Sequence, residues 1–342
     1  MCVTIDNGKM SVLDNALFMW HKNGVLIGMI AVHVDDFLCA GNDIFLKKVK
    51  PCLGDTFSVG KEEATTFRYI GLHLDQTENS LSIHQKSYVS SLEPLKFTDV
   101  RFEERPLTLD ERNTLRSKVG QLLWLSNQTK PDICFETSTI AGNINNATTK
   151  DYALFNKVVR KLKKNSYTIK FTKLVGDIHI VLYVDAAFGN LADGGSQGGY
   201  LVFLADQHNN CNLISWQSKR LKRIVRSTLA AETLAMCEGV DAALYVSAVY
   251  SDMAFNDSSR KLPLQVLTDN KSLQDALKSS KYVSDRRLRI DIGSLKELID
   301  YEHMQICWVP TDEQLADVLT KTGVNADKLI NTLVTGRLPR LK

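Results

Sequence analysis

Residues 178–185 read Ile178-His179-Ile180-Val181-Leu182-Tyr183-Val184-Asp185. An apolar run of this length, rich in β-branched and aromatic side chains, predicts a strand, closed by the carboxylate of Asp185. Working outward, Gly198–Ala205 and Asn212–Gln217 predict two more strands joined by polar turns. Ser227–Tyr250 is Ala-rich and predicts a long helix, with Ser227 or Thr228 available as N-cap. Leu262–Thr268 reads as a strand ending at Asp269, and Lys271–Lys278 and Leu288–Tyr301 as helices. Met304–Val309 is a last strand, followed by helical Glu313–Thr320. Three strands, helix, strand, helices, strand, helix is the order of an α/β layer fold with a mixed sheet.

Two further blocks precede this one. Between about 105 and 165 the pattern is helical, with Leu115, Val119, Leu122 and Leu123 at helical spacing and a new segment starting at Pro131. From the start to about 95 the pattern is of strands. Val25–Val34 runs into Asp35-Asp36, and Phe37–Ala40 follows, so strand, acidic turn, strand is expected. Thr66–Leu74 and Ser80–His84 flank the turn-like Gln76-Thr77-Glu78-Asn79 and predict a second hairpin. The expected division is 1–95, 96–175 and 176–330.

A chain of 342 residues, 44% hydrophobic and 24% charged, excludes disorder, collagen and coiled coil. It has room for two domains or one large one. The net charge, 42 − 39 = +3, does not by itself imply a nucleic-acid partner; where the charges cluster matters more. The seven cysteines (Cys2, Cys39, Cys52, Cys134, Cys211, Cys237 and Cys307) form no C-x-x-C pair and read as free thiols of a reducing compartment. The apolar run Val25–Val34 is broken by Gly28 and His33 and is too short to span a bilayer. The first residues lack the pattern of a secretory signal. A cytoplasmic or nuclear protein with no membrane partner is expected.

Four acids of the third block stand out. Asp185 and Asp269 close apolar strands, and Asp317 follows Leu315-Ala316. Glu232 lies on the long helix, with Thr228, Leu229, Ala235 and Met236 as its neighbours three and four residues away. Each alone has an ordinary reading, because an Asp after a strand is a common turn former or helix cap. Together they suit two-metal phosphodiester cleavage, in which two hard divalent ions clamp the attacking and leaving oxygens. Clustered carboxylates without cations are costly.

On these residues the third block resembles the ribonuclease H domain of copia-type retrotransposon polyproteins. Tyr183-Val184-Asp185-Ala186 resembles the family's first strand and Ile214-Ser215-Trp216-Gln217-Ser218-Lys219 its third. Ser227-Thr228-Leu229-Ala230-Ala231-Glu232 resembles the start of its catalytic helix, and Leu267-Thr268-Asp269-Asn270 its fourth strand. Arg287-Leu288-Arg289-Ile290-Asp291-Ile292, Val309-Pro310-Thr311, Gln314-Leu315-Ala316-Asp317 and Leu319-Thr320-Lys321 complete the pattern. The resemblance implies a ribonuclease H-like mixed five-stranded sheet with helices. Asp185, Glu232, Asp269 and Asp317 would be catalytic and would hold two Mg²⁺ ions, with Mn²⁺ as a substitute. The implied reaction is hydrolysis of the RNA strand of RNA–DNA hybrids, read by shape rather than base sequence, with no small-molecule cofactor. A non-catalytic nucleic-acid-binding remnant is the alternative. An integrase-like nuclease has a similar core, but there a Glu comes last, whereas Glu232 lies between Asp185 and Asp269.

The first two blocks resemble the C-terminal half of the same family's reverse transcriptase: a partial α+β palm, then a helical thumb or connection. Val32-His33-Val34-Asp35-Asp36 is similar to the palm hairpin that carries two acids, with His33 in the place of an aromatic residue. Phe67-Arg68-Tyr69-Ile70-Gly71-Leu72 and Tyr88-Val89 look like later palm strands and the thumb entry. Lys118–Leu125 and Lys130-Pro131-Asp132-Ile133 look like the stretch leading to the ribonuclease. The family's polymerase needs a third acid from an earlier strand, and Asp6 and Asp14 lie in unpatterned sequence. Asp35 and Asp36 are therefore expected to be a polymerase remnant, within a fragment of a longer Pol polyprotein that extends no primer alone.

Lys219, Arg220, Lys222, Arg223 and Arg226 crowd the approach to the helix of Glu232 and are expected to contact nucleic-acid phosphates. Arg286, Arg287 and Arg289, and the run from Lys157 to Lys173, are further basic clusters. Trp216 is expected in the core, and His303 is expected to be structural.

Overall fold

The computed structural model describes residues 8–96, 104–280, 283–301 and 304–340; Cys2, Asp6 and His303 lie outside the described residues. The chain divides into two units, 1–77 with 243–262, and 78–242 with 263–342.

In the first unit β1 (Gly8–Met10), β2 (Leu17–Lys22), β3 (Val25–His33) and β4 (Asp36–Gly41) form an antiparallel sheet in sequence order. Asn42 caps α1 (Asp43–Thr56), its side-chain oxygen accepting from the Phe45 backbone N–H at 2.9 Å. Phe45 and Val49 pack with Phe18, Trp20 and Ile30. Gly28 and Gly41 pair across β3 and β4, and a Cβ on either would fall within 2.5 Å of the Phe45 ring. These two glycines let the helix lie on the sheet. The expected acidic turn is present between His33 and Asp36.

The expected strand 66–74 is instead a hairpin of its own, β5 (Thr66–Tyr69) and β6 (Leu72–Gln76). Ile70 and Gly71 form its two-residue turn with φ of 44° and 79°. The left-handed conformation that Gly71 adopts without steric cost breaks the run. Ser11 Oγ donates to Asp252 Oδ2 at 2.5 Å, and His21 Nε2 lies 2.8 Å from the Met253 carbonyl, tying the helical stretch 243–255 into this unit.

The second unit begins with β7 (Ser80–His84) and α2 (Lys86–Ser91). Then come α3 (Leu109–Gln128), α4 (Cys134–Asn143) and α5 (Thr149–Lys164). Thr108 with Glu111, and Thr148 with Asp151, form capping boxes that start α3 and α5. Leu115, Val119, Leu122, Phe155 and Val159 share a helical core. Strand β8 (Ile169–Thr172) pairs antiparallel with β7.

The main sheet follows: β9 (His179–Ala187), β10 (Gln197–Ala205) and β11 (Cys211–Arg220). Helix α6 (Thr228–Phe255) starts at Ser227, whose Oγ accepts from the Ala230 N–H at 3.1 Å. Next are β12 (Leu264–Thr268), α7 (Lys271–Lys278), α8 (Arg286–Tyr301), β13 (Met304–Trp308) and α9 (Asp327–Thr335). The sheet order is β11-β10-β9-β12-β13, antiparallel through β9 and parallel from β9 to β13. This is a mixed sheet of five strands with helices, the architecture expected from the sequence.

Helix α6 packs on one face through small residues: a Cβ on Gly239 would lie 2.6 Å from Val184 Cγ1, and one on Gly198 of β10 would lie 3.2 Å from Ala235 Cβ. The other core gathers Tyr183, Leu201, Phe203 and Leu267 with Leu315, Leu319, Leu329 and Leu333, and includes Cys134, Tyr167 and Ile169 from the helical region.

The expected helix 313–320 is two 3₁₀ turns, Thr311–Glu313 and Leu315–Leu319. Gln314 is extended between them. Its amide donates to the Val184 carbonyl at 2.9 Å and its Oε1 accepts from the Ala316 N–H at 3.1 Å. Leu315–Leu319 is buried all round, so no polar stripe favours a regular α-helix there.

Candidate active site

Strand register brings the first two acids together. Leu267 of β12 lies beside Tyr183 of the parallel strand β9. Two residues further along each strand are Asp269 and Asp185, on the same side because side chains alternate. On the opposite neighbour Asp185 pairs with Gly199. A Cβ there would sit 2.6 Å from Leu319 Cβ, so the glycine lets the 3₁₀ segment close over the strand. Glu232 comes from the second turn of α6.

The carboxylates of Asp185, Glu232 and Asp269 offer oxygens all within 4.8 Å of one another. Asp185 and Glu232 are buried, and Asp269 is half-buried. Thr311 Oγ1 donates to Asp269 Oδ2 at 2.8 Å, and Trp308 Nε1 donates to the Asp269 carbonyl at 3.0 Å. Thr320 Oγ1 donates to Asp185 Oδ2. Asp317 stands outside the trio, and Lys321 Nζ is 2.6 Å from its Oδ1 and 3.4 Å from Asp185.

The electrostatics follow from crowding acids in a dry place. Burial raises the Asp185 carboxyl to about 6; Lys321 pulls it down while Asp317 and Asp269 push it up. Glu232 is raised well above the usual carboxyl range, first by burial and then by Asp185 and Asp269. Burial opposes the charge on Lys321, yet Asp185 and Asp317 outweigh it and hold the ammonium protonated beyond the ordinary lysine value.

Glu232 is only 4% exposed, and its Oε2 is buried with no hydrogen-bond partner. A buried oxygen without a donor, on an acid that converges with two other carboxylates, calls for a cation, and oxygen-only ligands suit a hard divalent ion. The residues present fit a metal ion.

The expected phosphate contacts are spread around this site. Lys219 pairs with Glu238 at 2.9 Å, Arg220 with Asp193, and Arg223 with Asp291. Lys222 and Arg226 are exposed. Arg223 and Arg226 line a cavity of about 410 Å³ together with Asp285, Arg286 and Arg287. Trp216 is half-buried against the core and donates through Nε1 to the Ser126 carbonyl at 2.7 Å. Asp35 and Asp36 belong to the first unit and are exposed at the β3–β4 turn. Among the described residues they join no cluster of metal-ligating side chains. The six described cysteines are free thiols. No described helix is long and apolar enough to cross a membrane.

Sequence reasoning quoted Thr311, Gln314, Thr320 and Lys321 as parts of a pattern but gave them no role. Lys321 meets Asp317 because its backbone N–H closes back on the Asp317 carbonyl at 3.1 Å, which brings the two side chains to the same side of the turn.

The polyprotein of transposon RE2 from Arabidopsis thaliana, a retrovirus-related Pol polyprotein, is 25% identical over 329 residues, covering 91% of this chain. Relatives of this chain include retrovirus-related Pol polyproteins from transposons. The Pol polyprotein of transposon TNT 1-94 from Nicotiana tabacum is 24% identical over 320 residues, 86% of this chain and 23% of the relative. The chain spans 22% of the RE2 polyprotein's length. No family model matches. Among solved structures, LC11-RNase H1 in complex with an RNA/DNA hybrid is similar at 16% identity and a TM-score of 0.32, over 41% of this chain and 93% of that one.

Proposed function

We propose that this chain hydrolyses the RNA strand of RNA–DNA hybrids with divalent metal ions held by Asp185, Glu232, Asp269 and Asp317. The observation that carries the reading is the trio of carboxylates within 4.8 Å around the orphaned Glu232 Oε2. Two Mg²⁺ ions, or Mn²⁺ in their place, would supply a water nucleophile at neutral pH and neutralise the phosphate. Asp269 is held by Thr311, and Asp185 by Thr320, so both carboxylates are oriented in advance. Burial of Glu232 and Asp185 keeps bulk water away from their oxygens. Lys222 and Arg226 would contact backbone phosphates, with Lys219, Arg220 and Arg223 exchanging their present carboxylate partners for phosphate.

Within this reading, residues 1–95 correspond to reverse transcriptase palm, 96–175 to a helical connection and 176–330 to the ribonuclease. Asp35 and Asp36 would be two acids of the polymerase hairpin, and the rest of a Pol polyprotein a natural partner.

Incubation of purified chain with a labelled hybrid in Mg²⁺ or Mn²⁺ tests the proposal, and cleavage leaving 3′-hydroxyl and 5′-phosphate ends is expected. Removing a group that merely orients a metal ligand costs 10–100-fold, so Asp269→Asn or Glu232→Gln should lower the rate at least about a hundredfold. No cleavage with either ion defeats the reading; hybrid binding without cleavage would leave a nucleic-acid-binding remnant. Primer extension on the same preparation should give no incorporation of deoxynucleotides, and measurable incorporation would overturn the assignment of Asp35 and Asp36.

A further inference from the structure

Asp317 is not among the acids whose oxygens converge within 4.8 Å. Asp185, Glu232 and Asp269 converge, whereas Asp317 faces a different cation, the ammonium of Lys321 at 2.6 Å. Lys321 Nζ also lies 3.4 Å from each oxygen of Asp185. Asp185 therefore belongs to the trio and also meets the ammonium that Asp317 holds. A pair of divalent ions about 3.5–4 Å apart needs a carboxylate that reaches both. Asp185 is placed to be that bridge, because it is the acid of the trio that also meets Nζ.

We infer that Lys321 is a tethered cation occupying the second ion's position, so that the free chain binds one divalent ion tightly and admits another only when the ammonium leaves. This rests on reading the site as a metal-dependent nuclease. The charges agree with it. Four carboxylates against Lys321 and one divalent ion leave −1, while a second ion beside a retained Lys321 would leave +1. Lys321 reaches the acids from its own chain, four residues past Asp317, so it competes without the entropy of association. It is also free to leave, because its side chain is 37% exposed and its stem reaches solvent. The phosphates of a bound nucleic acid offer the departing ammonium a new partner.

The test counts Mn²⁺ bound to the full chain at neutral pH, by calorimetry and by electron paramagnetic resonance. The unmodified chain should take up one ion tightly, with any second ion at least about tenfold weaker. Lys321→Met should tighten the second ion at least about tenfold and show the spin coupling of paired Mn²⁺. Lys321→Arg, which keeps the charge, should still bind one. If Lys321→Met does not fold, as judged by circular dichroism, the neutral Lys321→Gln and the count on the unmodified chain decide. Two ions of equal affinity on the unmodified chain, or a second site unmoved by loss of the charge, overturns the inference. No Mn²⁺ uptake by any form would instead defeat the metal-site reading itself.

Discussion

Asp185 and Glu232 are buried acids whose protonated forms are favoured by their surroundings, which makes the metal-free protein sensitive to pH in an unusual direction. A carboxyl raised from its unfolded value to about 6 binds more protons in the folded state between those two values. Its contribution is therefore lost as pH rises through that window. With metal chelated, the melting temperature should fall between pH 4.5 and 7.5. Added Mn²⁺ should raise it far more at pH 7.5 than at pH 4.5, because ligation needs the deprotonated groups. A thermal scan at both pH values, with and without ion, checks this; equal shifts would contradict it. Asp185, Glu232 and Asp269 were legible in the sequence, each at an element end or on a helix with few polar neighbours. The separation of Asp317 from them was not, because it depends on where a lysine side chain points.

At the scale of elements, close packing at glycines sets the site's precision. Gly239→Val would drive a side chain into Val184, and Gly199→Ala would push Leu319 and Thr320 off β10. Overpacking of this kind costs roughly 1–3 kcal/mol. Both variants should lower the denaturant midpoint. Gly199→Ala should also weaken ion binding, because Thr320 holds Asp185. Denaturant titrations with Mn²⁺ binding on the same samples would reveal it, and wild-type affinity in Gly199→Ala would show that the 3₁₀ segment relaxes freely. The regular elements were readable from periodicity: the helix 271–278 and the long Ala-rich helix came out as expected. What failed was local. Residues 66–74 hid a turn because only Gly71 marked it, and 311–319 folds as 3₁₀ turns because Gln314 bonds to β9, a partner 130 residues away in sequence.

For the molecule as a whole, the region 96–175 that looked like a separate connection shares a core with the five-stranded sheet through Cys134 of α4, Tyr167 and Ile169 of β8. Tyr167 also anchors a buried polar group: its hydroxyl donates to Asp132 Oδ1 at 2.6 Å, and its carbonyl accepts from Lys130 Nζ at 2.8 Å. Removing the hydroxyl in Tyr167→Phe strands a buried carboxylate oxygen, a loss of about 1–3 kcal/mol. The loss should appear in the same unfolding transition that releases the metal ion; release at an unchanged midpoint would show two independently melting parts. The parallel pairing of β9 with β12 has a temporal consequence. Asp185 and Asp269 are 84 positions apart in the chain and meet only when β12 docks against β9. Long-range parallel pairing forms slowly, because the loop must be closed before any contact rewards it. A refolding chain should thus collapse and gain helix well before it can hold an ion. Trp308, bonded to the Asp269 carbonyl, provides a clock for that moment through quenching of its fluorescence by Mn²⁺. If the centre cuts nucleic acid as proposed, that competence would be a late event in the life of each molecule, and a half-folded chain beside nucleic acid would be harmless to it.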